Sequence, residues 1–411
     1  MLIRFVIGLF ALAGLFAAYQ ALKSCGRDID LPWSVDTAGW IAAVRYEDRG
    51  SRAVALLPDG ALRETPDYAP GKTDRDVVWR PDGNRVFFVS DRGEGGFNVY
   101  RWNPGSDKVE ARSLGSRSKF SPSFPPPGAP EANDVALITS GGFVLRFTPV
   151  DGATRQVLPP VPKEVAGKEG EGAGGQIETL YSRFGVSFRE ARWTLDKQHI
   201  AAVMRREDGS EILILQDLNT GKPMPIAAGA RIDLDVSPTS NRIYYSVLGF
   251  LWPDPEQAPA SYREGGIVRT PFRHAIFVLD PAKQGADFHR PVVLSQSDET
   301  AFHRVAVSPD GSMIAAVIGK YGGAGDVEAE ALCVMPAEPG GGQALAKVTE
   351  GKVQEPSWAP DSQRLAFVRL RNGKRAIHTI GRDGSDERIV SGDRGDFGWP
   401  RFSPQLAGPK R

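Results

Sequence analysis

The stretch at residues 77–93, VVWRPDGNRVFFVSDRG, holds a tryptophan, a Pro-Asp-Gly turn and an apolar run, and near copies of it return along the chain. Aligned on the bulky residue before the turn, the phrase recurs as PWSVDTAGWIAAV at Trp33, RWTLDKQHIAAV at Trp193, DVSPTSNRIYYS at Val236, AVSPDGSMIAAV at Val307 and SWAPDSQRLAFV at Trp358, with a looser copy around Phe124. Each part of the phrase meets a physical demand. Proline presets φ, aspartate caps the backbone through an Asx hydrogen bond, and glycine accepts positive φ. The runs Val86–Val89 and Leu365–Val368 are continuously apolar, as a strand is when neighbouring sheets cover both of its faces.

Further apolar stretches follow each copy, among them FNVYRW, FVLRFTPV, EILILQD, AIFVLD, ALCVMP and RAIHTI. Several short strands per period, separated by Gly, Asp, Asn and Pro, predict four antiparallel strands in each repeat. The copies are spaced 43 to 51 residues apart with two longer gaps. That period predicts an all-β fold, a seven-bladed β-propeller of four-stranded blades. Near the end stands an orphan, WPRFSPQ, in which Pro400, Phe402 and Pro404 repeat the spacing of Pro356, Trp358 and Pro360. It is expected to supply the innermost strand of the blade begun by WIAAVRY, closing the ring so that no blade exposes an edge. The amino-terminal DLPWSVD competes for the same place.

The phrase WRPDGNRVFFVSDRGEGGFNVY resembles the TolB-type propeller repeat, a relative of the WD-type repeats, over nearly its whole length. The resemblance extends from about residue 29 to the end and implies the propeller fold. It departs in one respect: members of that family carry an α/β domain before the propeller, whereas here a few residues separate an apolar segment from Trp33. The Tol-Pal role is therefore not carried over.

That apolar segment occupies residues 1–25. Arg4 precedes a mostly apolar run from Phe5 to Leu22, which as a helix spans about 27 Å, close to the hydrocarbon thickness of a bilayer. Lacking a small-x-small site at its far end, it is expected to be an uncleaved signal anchor, one transmembrane helix before a propeller over residues 26–411. The alternative is a lipoprotein signal, cut before Cys25 and acylated there, with Lys23 a poor fit. Positive charge lies on both sides of the span, so placement of the propeller in the periplasm or outside the cell follows from analogy with exported propellers. The other cysteine, Cys333, reads as a small buried hydrophobe.

The chain carries 50 basic and 50 acidic residues. That balance removes the electrostatic case for nucleic acid as a partner. Its five histidines show no zinc spacing, and no nucleophile elbow, P-loop or dinucleotide fingerprint occurs, so no metal, cofactor or catalytic residue is expected. With strands lettered A to D outward from the channel, the irregular insertions at 161–185, 250–275 and 320–331 all fall on the face of the B–C loops and D–A links. Loops on a rigid ring are where recognition is placed. Trp252, Tyr262, Arg263, Phe272, Arg273, His274 and Tyr321 are the candidate contacts, aromatic and Arg residues being frequent interface anchors; against this, Trp252 and Phe272 would simply tuck the loop onto its own blade. The expected function is a membrane-tethered, non-catalytic envelope scaffold that binds a protein. The alternative is an envelope enzyme or glycan-binding module using the same face.

Overall fold

The computed structural model describes residues 36–106, 108–113, 117–160, 187–253, 258, 263–264, 267–268, 273–295, 297–323, 326–392 and 395–405. Their strands form seven four-stranded antiparallel sheets plus one two-stranded ribbon. Numbered from the closing sheet, the blades have innermost strands Asp396–Phe402, Asp74–Trp79, Phe120–Ser123, Ser187–Trp193, Arg231–Val236, Thr300–Val307 and Val353–Trp358. The signal anchor, the lipidation alternative at Cys25 and the 161–185 insertion lie outside the described residues. Among the described residues no helix is long and apolar enough to cross a membrane.

Closure follows the expectation from the orphan phrase. Asp396–Phe402 pairs with Ile41–Tyr46 from the other end of the chain, in the register Ile41 to Phe402 and Tyr46 to Asp396. The carboxy-terminal segment thus holds the innermost place in blade 1; most of the competing DLPWSVD lies outside the described residues. A polar latch secures the joint. The Thr37 and Ser403 hydroxyls stand 2.7 Å apart, and Thr37 also donates to the Gly83 carbonyl at 2.8 Å. Gln405 accepts the Thr37 N–H at 2.9 Å and donates to the Asp82 carbonyl at 3.0 Å, joining blade 1 to blade 2.

The repeated phrase does in three dimensions what its residue types allow. Asp82, Asp310 and Asp361 accept the N–H two residues ahead at 2.9–3.0 Å, each making an Asx turn. Gly311 has φ of 73° and lies against the preceding blade so closely that a Cβ would stand 2.2 Å from Thr239 Oγ1. Two of the turn tryptophans reach back one blade: Trp79 donates its indole N–H to the Arg401 carbonyl at 2.8 Å, and Trp358 to Ala306 at 3.0 Å. Residues 86–90 and 98–102 are wholly buried. Between blades 1 and 2, Trp40, Val44, Trp79, Phe88, Tyr100 and Trp102 form one apolar layer. Each large side chain buried in this way contributes about 1.5–3 kcal/mol relative to exposure.

Cys333 is fully buried and free; its thiol donates to the Ala316 carbonyl at 3.1 Å, and burial pushes its pKa up to about 12. Two insertions carry more order than loops would. The 320–331 segment belongs to a long ribbon in blade 6, strands Met313–Gly323 and Asp326–Pro336. Those strands have 11 residues each, so the ribbon projects about 10 Å beyond a blade with eight-residue strands. The 250–275 segment contains a small ribbon of its own, Arg263–Glu264 against Ile267–Val268.

Candidate functional site

On the loop face, the structure brings together three of the candidates from two insertions. Arg273 is exposed and its guanidinium sits over the Tyr321 ring, 5.4 Å from the centroid. The other close neighbour of Tyr321 is His274, with ring centroids 4.4 Å apart. His274 begins the strand His274–Leu279 and is fully buried. Its Nδ1 accepts the Gly249 N–H at 3.2 Å and Nε2 donates to the Asp298 carbonyl at 3.0 Å, while burial pushes its pKa down. His274 thus fixes the position of Tyr321, and Arg273 and Tyr321 present the surface.

The remaining candidates are placed elsewhere. Trp252 is half-buried against the core of blade 5, edge-on to Phe250 at 5.0 Å and to His289 at 5.9 Å. This is the docking role weighed against recognition in the sequence. Arg263 is exposed on the small ribbon and donates from Nε to the Ala258 carbonyl at 2.7 Å. Tyr262 and Phe272 lie outside the described residues. Sequence reasoning passed over Leu251, which is 62% exposed beside Trp252. It is held there by paired hydrogen bonds to the backbone of Ala228, the N–H groups donating at 2.8 and 2.9 Å. Its signal was available, since a large apolar residue next to a loop tryptophan has no reason to be on the surface of a well-covered blade.

The second site was not singled out in the sequence at all. It is the central channel. Six of the seven innermost strands shift register against strand B of their blade. At five of those bulges one non-glycine residue is left-handed, always three positions before the bulky residue of the phrase: Asp76 (φ 52°), Ser121 (50°), Arg304 (58°), Glu355 (56°) and Trp399 (57°). A bulge re-aims a side chain, and here it turns these toward the axis. The unpaired edge of one innermost strand is satisfied by the blade before it. Ser121 N–H donates to Asp76 Oδ2 at 3.0 Å, Arg304 N–H to Asp233 Oδ2 at 2.9 Å, Trp399 N–H to Glu355 Oε2, and Val307 N–H to Asp235 Oδ2 at 2.8 Å.

Inside this belt lies a cavity of about 440 Å³ whose lining runs from the bulges to the prolines that follow the innermost strands, among them Pro81, Pro238 and Pro309 of the A–B turns and Pro404. It therefore faces the short-turn side, opposite the loop face. Its charged lining consists of Asp76, Glu190, Asp233, Asp235 and Glu355 with Arg189, Arg192, Arg304 and Arg401. Burial opposes the charge on Asp233, but Arg304, Arg231 and Arg189 outweigh it and hold its carboxyl well below the usual carboxylate range. Burial likewise opposes the charge of Arg189, which Glu190, Glu211 and Asp233 sustain, with ion pairs of 2.9 Å to Glu190 and 2.8 Å to Glu211. At Asp235 burial outweighs the Val307 N–H and the charges of Arg192 and Arg401, and its pKa is raised. Among the described residues no group of His, Cys, Asp and Glu is arranged to hold a metal ion.

No protein-family model and no curated protein sequence matches the chain. Solved structures do. A prolyl endopeptidase superposes with a TM-score of 0.53 at 11% identity, over 85% of this chain and 48% of its own. TolB from Acinetobacter baumannii superposes with 0.49 at 13%, over 90% of this chain and 68% of its own. An oligogalacturonate lyase in complex with manganese gives 0.49 at 11%, over 86% and 85%. In fold, the chain is a seven-bladed β-propeller. Identities this low speak to fold alone, and the three proteins named differ in activity.

Proposed function

We propose that this propeller is a non-catalytic, protein-binding scaffold of the bacterial cell envelope, tethered to the inner membrane by its amino-terminal apolar segment with the ring in the periplasm or outside the cell. The observation that carries the reading is the stacking of Arg273 on Tyr321. Two insertions from different blades meet there in one exposed patch, with His274 fixed beneath it. A cation over an aromatic face keeps both side chains extended and ready, and Arg and Tyr are the residue types that anchor protein interfaces.

The test separates recognition from packing. Arg273→Ala with Tyr321→Ala is expected to cut partner retention from solubilised envelopes by about tenfold or more, with the ring still folded and a modest fall in thermal midpoint, since Arg273 is exposed and Tyr321 half-buried on His274. Trp252→Ala should do the reverse, lowering the thermal midpoint through lost packing while the folded fraction retains its partner. Undiminished retention by a folded Arg273, Tyr321 double variant would overturn the reading.

A further inference from the structure

We infer that the central channel is a binding site for an organic monocarboxylate entering from the turn face, with Arg401 as the group that grips the anion. The site is on the opposite side from the loop-face patch and does not depend on it. The cavity of about 440 Å³ falls within the roughly 300–1,000 Å³ typical of small-molecule pockets.

Three of its four guanidiniums are already engaged. Arg189 is held by Glu190 and Glu211, Arg192 pairs with Glu190 at 3.3 Å, and Arg304 lies 3.7 Å from Asp233 and over the Trp399 ring at 5.1 Å. Arg401 is different. Half-buried, it lines the cavity; among the described residues its one hydrogen bond goes to the carbonyl of Pro400 at 3.0 Å, and it forms no ion pair. Burial outweighs the attraction of Glu355 and Asp235 and lowers the pKa of Arg401, so its charge is a cost to the fold, and such costs collect where a ligand is to be met.

The backbone around Arg401 is fixed. Its carbonyl accepts the Trp79 indole N–H, and two residues earlier Trp399 is left-handed, a rare state for so large a side chain. The charges within reach of Arg401 select the ligand. Arg192 and Arg304 stand with it near Asp235 and Glu355, and the lining as a whole holds five carboxylates and four guanidiniums, a balance that disfavours a phosphate dianion more than a monoanion. The planar fork of a guanidinium matches a carboxylate. The other walls, Phe124, Trp358 and the rim prolines, suit an apolar body.

The experiment uses purified full chain at fixed ionic strength, titrated with benzoate and with N-acetylphenylalanine, and in parallel with benzamide, N-acetylphenylalaninamide and inorganic phosphate. Both carboxylates, or either one, should raise the thermal midpoint saturably and perturb tryptophan fluorescence, the fluorescence change shrinking in Trp399→Phe. The amides and phosphate should not. A response to benzoate alone marks a small acid as the ligand class, and a response to N-acetylphenylalanine alone marks a chain end. Arg401→Gln should weaken binding by about tenfold to a hundredfold and raise the midpoint of the free protein. Arg401→Lys, which keeps the charge without the fork, should bind with intermediate strength. Absence of a saturable response to both carboxylates, or equal binding by Arg401→Gln in a folded state, would overturn the inference.

Discussion

At the scale of single residues, each side chain of the repeated phrase serves both its own blade and a neighbour. Trp79 fills the apolar layer between blades 1 and 2 and bonds across it; Gly311 makes its turn and also admits the Thr239 hydroxyl. These roles were legible because turn chemistry is local. The buried histidines were not, since no neighbour in sequence announces their surroundings. His289 packs tilted against Phe277 at 4.6 Å with its Nε2 2.5 Å from the Tyr245 hydroxyl, and burial lowers its pKa to about 4. His303, beside Asp233 and Arg304, is likewise lowered by burial to about 4. An unfolded histidine titrates near pH 6.5. Between there and pH 4 the unfolded chain therefore holds protons that the native state lacks, so stability should fall as pH drops through that window and level off below it, by up to about 3 kcal/mol for each histidine. Urea unfolding between pH 7.5 and 4.5 should show that slope, and His289→Gln should remove roughly half of it. A flat profile over the window would contradict this account of the two histidines.

At the scale of elements, the sequence and the structure agree where the signal repeats and part where it does not. The closing strand was readable because Pro400, Phe402 and Pro404 reproduce a spacing already seen in blade 7. The ribbon of blade 6 was read as an insertion because Lys-Tyr-Gly-Gly-Ala-Gly looks like a loop, although DVEAEA after it alternates with the period of a strand. The bulges left no mark on composition or period, which a one-residue slip does not disturb. Closure also carries a prediction. Truncation before Asp396 removes the strand paired with Ile41–Tyr46 together with the Ser403 and Gln405 latch, exposing the edge of the innermost remaining strand of blade 1. Unfolding should lose cooperativity and aggregation should rise, measured by calorimetry and light scattering. An unaltered calorimetric transition would mean that the terminal strand is a tail.

At the scale of the whole molecule, the ring separates two surfaces. The loop face carries Arg273, Tyr321 and Leu251 on or beside ribbons built from single insertions, so its candidates could be found by reading one segment at a time. The channel takes its charged lining from six strands spread between Asp76 and Arg401, and such a site becomes visible only when the ring is closed. Its one sequence trace is the run of charged or bulky residues three places before the phrase's tryptophan or its equivalent, among them Asp76, Glu190, Arg304, Glu355 and Trp399. The central claim is that protein recognition belongs to the loop face. Its most direct test places a photoactivatable phenylalanine analogue at Tyr321 in cells and, as a control, at Thr220 in an exposed turn on the opposite face. The account predicts one discrete cross-linked protein from position 321, diminished by Arg273→Ala, and none from position 220. No adduct at 321, or the same adduct from both positions, would contradict it.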